Sequence, residues 1–348
     1  VLVIDAFAVP SWAELLTSRL AGTSLVAHHA QFEARFLFAA GFAPSALHCT
    51  ALLYRAALSR PRPIGDCAGK GWRGGMVSLA QAAREILQVD LDKTEQLADW
   101  SSPVLTAAQV AYAADDAVAT MRLAQALRPS LASCGAARSY KLLRLCLLPV
   151  ARMELRGFAI DQDRHRRQIS LWEAELQQIA ARWEAIAPGV SPSSTPQLSA
   201  WLAEKLPPYV TRAYGNAKPA SLRRGGPWPR TANGQLSTAS ATLEVGEQYL
   251  PELAVLRELR AVAKQLQAFG PTLLEKVSPT TGAIHPQYRL AGAVTGRMAC
   301  SEPNLQQIPS SKKAPHVRQH FIARPGHVLV LADFAQAELR VIAALSGD

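Results

Sequence analysis

The sequence predicts a mixed chain: an α/β opening, a helix-rich middle, and a closing segment of short strands and loops. Three observations predict it. Strand-length apolar runs alternate with helical patterns over residues 1–130. Helical periodicity dominates residues 139–185 and returns at 251–269. After Pro279 the character changes to short runs and loops. In the opening third, "SLVAHH" (24–29) reads as a short strand and "AQFEARFLFAAGF" (30–42) as a helix with Gly41 near its end. Residues 59–75 are dense in Gly, Pro and Arg and read as a loop. A helix follows at "SLAQAAREIL". Another begins at Thr106, where "TAAQ" forms a capping box between Thr106 and Gln109. The helical stretch 139–185 is interrupted at "LRGFAID" (155–161), and residues 205–235 read as irregular. Over 251–269, Leu253, Leu256, Leu259, Ala263 and Leu266 recur at helical spacing, and Pro251 suits a first turn.

With 348 residues the chain is long enough for two or three domains. A content of 49% hydrophobic and 18% charged residues marks a globular protein rather than a disordered one. No apolar run reaches the roughly 18–20 residues needed to span a bilayer. The start, "VLVIDAFAVPSW", has no basic region, no cleavage pattern and no initiator Met. A signal peptide is therefore not expected, and Val1 is not expected to be a natural beginning. Cys49, Cys67, Cys134, Cys146 and Cys300 lie far apart with no C-x-x-C. That spacing suggests neither a zinc site nor a disulfide framework, and it fits a reducing compartment.

The net charge of +10 is unevenly placed. Residues 205–243 carry Lys205, Arg212, Lys218, Arg223, Arg224 and Arg230 and no acid. Over 260–332 only Glu275 and Glu302 oppose many cations. Such a field favours a polyanion, with binding that weakens in salt; a basic solvated surface is the plainer alternative.

Tyr112 and Asp116 stand four apart in "QVAYAADDAVATMRL" (109–123), so they share a helix face. A carboxylate and a phenol so placed suit metal-assisted phosphodiester hydrolysis, although an ordinary surface pair has the same spacing. Together, "LVAHHAQFEARFL" (25–37), "LDKTEQLADWSSPVLTAAQVAYAADDA" and "YAADDAVATMRL" resemble the 3′–5′ exonucleases of the ribonuclease-H-like fold. The likeness is strongest to the ribonuclease D and proofreading members and covers about residues 1–130. It implies that Glu33 and Asp116 are metal ligands in a magnesium site and that Tyr112 positions the attacking water. The family carries Asp where this chain has Glu33, and the family's first motif, Asp-x-Glu, is absent. Before Glu33 the acids are Asp5, in a "VIDAFAV" run that resembles the strand after that motif, and Glu14. No exonuclease activity is expected from this chain alone. His28, His29 and His48 are not expected to bind metal, because magnesium takes oxygen ligands; the His28–His29 pair is expected to cap a strand–helix turn.

The stretch "HPQYRLAGAVTGRMACSEPNLQQIP" (285–309), followed by "VRQHFIARPGHVLVLADFAQAELRVIAALSGD", resembles family A DNA polymerases. The likeness runs through Thr295-Gly296-Arg297, Pro303-Asn304-Leu305-Gln306 and Asp333-Phe334-Ala335-Gln336-Ala337-Glu338. "LLPVARMELRGFAID" (147–161), "RTANGQLST" (230–238) and "LRAVAKQL" (259–266) resemble the thumb of the same family. An apolar run at 328–331 then reads as a buried strand that delivers Asp333, with Glu338 in a following helix. Asp333 and Gln336 also form a capping-box-like pair, so a helix N-cap is an alternative role for Asp333.

The resemblance implies that Asp333, with the backbone carbonyl of Phe334, holds one arm of a two-magnesium site, and that Glu338 screens out a ribose 2′-hydroxyl. Arg297, Asn304, Gln306 and Gln307 are implied to face the primer–template minor groove, where a sequence-tolerant contact suits amides and a guanidinium. A self-stabilising polar turn is the alternative. Arg318 is implied near phosphate or template, and Arg260, Lys264, Arg223, Arg224 and Arg230 on the duplex backbone. The family's nucleotide-binding helix and second metal aspartate do not occur in this sequence.

The fold expected is therefore an incomplete α/β ribonuclease-H-like exonuclease domain (1–132), an α-rich polymerase thumb (133–284) and the first part of an α+β palm (285–348). The function expected by family is magnesium-dependent nucleotidyl transfer in DNA replication and repair. The partners would be primer–template DNA and deoxynucleoside triphosphates, with no membrane. A monomer in a bacterial or phage-infected cytoplasm, near the nucleoid, is expected. The chain itself reads as a fragment truncated at both ends that binds DNA without complete active sites. The alternatives are a ribonuclease D-like exonuclease and a catalytically inactive DNA-binding derivative.

Overall fold

The computed structural model describes residues 3–6, 8–58, 76–212, 217–293, 295–310 and 315–347. The expected loop at 59–75 lies outside these residues. The chain divides into two compact units, one of residues 1–158 and 283–308, the other of residues 159–282 and 309–348. This division follows packing, whereas the boundaries at 132 and 284 follow motifs.

In the first unit, α1 (Trp12–Leu20) precedes β1 (Ser24–Ala27), α2 (Gln31–Ala39), β2 (Ala46–Cys49) and α3 (Thr50–Leu58). Strands β1 and β2 pair in parallel, Ser24 opposite Ala46 through Ala27 opposite Cys49. Among the described residues no strand precedes β1, so Asp5 lies in non-strand backbone. The β1 strand ends two residues earlier than expected, at a turn where His29 adopts a positive φ of 58°. His28 does not cap that turn. Its Nδ1 pairs with Thr50 Oγ1 and its Nε2 with the Val77 carbonyl, each at 2.8 Å, so the ring bridges segments distant in sequence.

Helix α4 (Leu79–Leu87) is capped by Ser78, and α5 (Ala107–Ser133) opens on the expected capping box. There Gln109 N lies 3.2 Å from Thr106 Oγ1, and Thr106 N lies 2.8 Å from Gln109 Oε1. Helix α6 (Ala137–Arg156) ends at Gly157. Gly157 has φ +60°, and a Cβ there would come within 2.6 Å of the Ile284 carbonyl, so glycine is required on both counts. The unit is completed by an antiparallel hairpin, Gln287–Arg289 against Ala299–Ser301. Tyr288, Leu290, Ala291 and Cys300 join one core with Leu52, Leu53, Leu127 and Leu147 from α3, α5 and α6. Burying such side chains is worth about 1.5–3 kcal/mol each, which makes the hairpin part of this unit rather than an appendage.

The second unit is built on α7 (Gln162–Ile186), capped by Asp161, and a long helix, Leu253–Phe269. This second helix starts two residues beyond Pro251, an ordinary offset for a helix end. Between them lies α8 (Thr195–Lys205), with Ser194 as its cap. Trp183 and Trp228 are fully buried, and each indole finds a carbonyl: Trp183 Nε1 to Val190 at 2.8 Å, Trp228 Nε1 to Ser237 at 2.9 Å. The stretch expected to be irregular contains two single-turn helices, Pro208–Thr211 and Pro219–Leu222, among its described residues.

One expected element is absent. Residues 328–331 form no strand, and Val328, Leu329, Val330 and Leu331 are 56–84% exposed. A strand needs neighbours to take its backbone hydrogen bonds and cover its faces, and no described strand pairs with this one. The capping pair is also absent. The final helix, Ala337–Ser346, starts after Gln336, which takes a left-handed conformation and makes no side-chain cap. Asp333 therefore lies outside the helix, whereas Glu338 lies in its first turn as expected.

Candidate functional sites

The first candidate site is the face of α5 that carries Tyr112 and Asp116. The two residues do share a face, and Lys93 joins them. Its Nζ lies 2.7 and 2.9 Å from the two oxygens of Asp116 and 3.2 Å from the Tyr112 hydroxyl. The ammonium also sits over the Tyr112 ring, 4.8 Å from its centre. Desolvation pulls the Lys93 pKa down, but the hydrogen bonds and charge interactions with Asp116 and Tyr112 together outweigh it and raise the pKa, so the amine stays charged. Sequence reasoning quoted Lys93 within "LDKTEQ" but gave it no role. Nothing local links it to a residue 23 positions on.

Glu33 lies in the first turn of α2. Its Oε2 is buried without a hydrogen-bond partner, and burial raises its pKa above the usual carboxylate value. Among the described residues, no three His, Cys, Asp or Glu side chains come together in a way that could hold a metal ion. Neither Glu33 nor Asp116 thus belongs to a cluster of three such ligands among the described residues.

Beside Glu33, Gln31 and Arg35 reach Glu154 of α6. Glu154 is 3% exposed. Its Oε1 accepts from Gln31 Nε2 at 2.7 Å and from Tyr288 N at 2.6 Å, and its Oε2 lies 3.5 Å from Arg35 Nε. Gln31 Nε2 also donates to the Tyr288 carbonyl at 2.6 Å. One carboxylate thereby ties α2, α6 and the hairpin together. Sequence reasoning missed it, because its partners lie more than a hundred residues away on either side.

The hairpin presents the second set of candidates. Its apolar side is buried, and Arg297, Gln306 and Gln307 are exposed. Asn304 is half-buried and caps the short turn Leu305–Gln307 by accepting from Gln306 N at 3.1 Å. Its side-chain oxygen is therefore engaged in shaping the turn. Gln306 Nε2 makes a long contact of 3.3 Å with the Met298 carbonyl.

In the second unit the basic residues divide into two groups. Arg260 is half-buried and donates to the carbonyls of Pro192 at 2.7 Å and Thr238 at 2.6 Å; burial lowers its pKa. Arg230 donates to the carbonyls of Gly234 and Thr211. Arg318 Nε donates to the Pro309 carbonyl at 2.8 Å. These three guanidinium groups brace loop backbone, Arg260 from a helix to loops distant in sequence. Lys264, Arg223 and Arg224 are exposed. Asp333 and Phe334 are exposed too, Phe334 at 88%.

The fold and these motifs define an exonuclease-type domain followed by a helix-rich polymerase region. Residues 1–132 match the family described as 3′–5′ exonuclease, and residues 162–348 match DNA polymerase family A. The chain belongs to DNA polymerase family A. It is 36% identical to DNA polymerase I of Rhizobium leguminosarum over 237 residues, 67% of this chain and 22% of that one. It is 31% identical to DNA polymerase I of Chloroflexus aurantiacus over 326 residues, 92% of this chain and 32% of that one. DNA polymerase I of Aquifex aeolicus is 26% identical across 99% of this chain and 56% of its own length. The chain thus spans between about a fifth and just over half of these relatives. A solved structure, the POL domain of Pol1 from M. smegmatis in complex with DNA primer-template and dNTP, shares the fold: TM-score 0.70, 23% identity, 97% of this chain and 53% of that one.

Proposed function

We propose that this chain serves template-directed DNA synthesis as part of a family A polymerase and that, by itself, it binds primer–template DNA. The observation that carries the reading is the hairpin Gln287–Arg289/Ala299–Ser301 with the turn Leu305–Gln307 that follows it. Its apolar side is locked into the first unit's core, which leaves Arg297, Gln306 and Gln307 on a rigid, exposed edge. Side chains of this kind suit the minor groove, which offers acceptors at every base pair. Exposed Lys264, Arg223 and Arg224 suit phosphate contacts. The bracing of Arg260, Arg230 and Arg318 gives them a supporting role, each holding a loop that carries other residues.

Asp333 and the carbonyl of Phe334 are proposed as one arm of a magnesium site, with Glu338 as the gate against a ribose 2′-hydroxyl. Magnesium would supply charge neutralisation between a primer hydroxyl and a nucleoside triphosphate. A lone exposed carboxylate is a weak ligand for it, so no nucleotidyl transfer is expected from this chain alone. Exonuclease activity is not expected either. A role in replication and repair, a monomeric state and a bacterial or phage setting belong to the same proposal.

Fluorescence anisotropy with a labelled primer–template across a salt series tests the reading. Affinity should fall steeply with salt, with a log–log slope of about −0.9 for each phosphate contacted. Replacing Arg223 and Arg224 together with Ala should flatten that slope. Replacing Arg297 with Ala should weaken binding to duplex more than to single strands. Binding that ignores salt would overturn the proposal.

A further inference from the structure

The exonuclease resemblance implies a divalent cation at Tyr112 and Asp116, and the residues present do not fit one. An ammonium has three N–H donors. Lys93 directs its donors to both oxygens of Asp116 and to the hydroxyl of Tyr112. The carboxylate therefore presents both oxygens to a resident positive charge. A hard divalent cation needs several oxygen ligands converging on one point, and the described residues assemble no such group.

Lys93 is also held in place rather than drawn in by chance. Immediately after it, Thr94 N donates to Asp92 at 2.9 Å and opens the short turn Thr94–Leu97. Trp100 Nε1 donates back to the Glu95 carbonyl at 3.0 Å, and its ring lies 5.9 Å from that of Tyr112. Gln109, already part of the α5 capping box, donates from Nε2 to the Asp99 carbonyl at 3.0 Å. The segment carrying Lys93 is thus fastened to the start of α5 at its far end and along its length. Lys93 and Asp116 are each only about a quarter exposed, unlike a freely solvated surface pair.

We infer that Lys93 is the built-in cation of this site: its ammonium neutralises Asp116, fixes Tyr112 beside it, and opposes the binding of a divalent metal. The inference rests on the exonuclease reading for its significance, whereas its geometry stands without it. It gives the expected lack of exonuclease activity a cause within the described residues, separate from Glu33 standing where the family has Asp.

Titration of the full chain with Mn2+, followed by electron paramagnetic resonance of the free aquo ion, tests it. Wild type and Asp116→Asn should bind Mn2+ equally, because Asp116 is already occupied by the amine. Lys93→Met should gain weak Mn2+ binding at the freed Asp116 carboxylate, at least about tenfold above wild type, since the positive charge beside it is gone. Lys93→Arg should show no gain, and Lys93→Met with Asp116→Asn should lose it. A wild-type affinity that drops in Asp116→Asn would overturn the inference. So would a folded Lys93→Met with unchanged affinity. Lys93→Gln, a polar neutral replacement, repeats the comparison if Lys93→Met does not fold. DNA binding is read separately, so failure here is distinguishable from failure of the polymerase reading.

Discussion

Asp116 stands on a helix turn, about a quarter exposed, gripped by an ammonium through both oxygens. Asp333 stands in an exposed stretch with no regular structure, flanked by apolar side chains that nothing described covers. Both acids occupy positions that resemblance assigns to metal chemistry. One is answered by a neighbouring ammonium, and the other meets no regular element among the described residues. A motif states which atoms are available. The surrounding packing decides whether those atoms can act.

The contrast can be tested from the strongest expected effect downward. Glu154 represents the packed extreme. Glu154→Ala should cost about 3 kcal/mol, because it leaves the Tyr288 N–H without its buried acceptor and the Arg35 guanidinium without its counter-charge. Glu154→Gln, which keeps one acceptor oxygen, should cost less. A urea midpoint that Glu154→Ala does not move would show that the hairpin is not held as the structure indicates.

The second test uses acid. His165 and His320 are buried in the second unit, with Nδ1 atoms 2.8 Å apart. Burial first, then the charges of His165, Arg164 and His316, lower the His320 pKa from 6.5 to about 4, against a smaller opposing pull from Asp161. The unfolded chain therefore takes up this proton before the folded one. Stability should be fully present above pH 6.5 and fall by about 1.4 kcal/mol per pH unit, for this group, as pH drops towards 4. Thermal melts of wild type and His320→Leu across that range should differ in slope; equal slopes would remove His320 as the cause.

The smallest effect belongs to Asp333. Asp333→Ala should change stability by less than about 0.5 kcal/mol, as expected for an exposed site without a structural partner among its neighbours. A loss of more than 1 kcal/mol would mean that Asp333 is built into the fold and would erase the contrast with Asp116.

Much of the framework could be read directly. Helices α4, α5, α6 and α7 appear where periodicity and caps predicted them, because a helix is set by neighbours three and four residues away. The Thr106–Gln109 box and the shared face of Tyr112 and Asp116 follow from the same short range. The strand expected at 328–331 does not form for the opposite reason: a strand depends on partners at any distance along the chain. Likewise, the alternative cap at Asp333 does not form, because a side chain that can cap does so only if the backbone enters the helix at that point, and here it enters at Gln336.

The sequence by itself determined the family, the order of its regions and the acids, amides and cations at their motif positions, since these are fixed by residue identity and spacing. The tertiary structure alone decided that Lys93 answers Asp116, that Glu154 fastens the hairpin to α2, and that Arg260, Arg230 and Arg318 brace loops. Each of these depends on which distant residue comes within about 3 Å, and at that range a hydrogen bond either forms or does not.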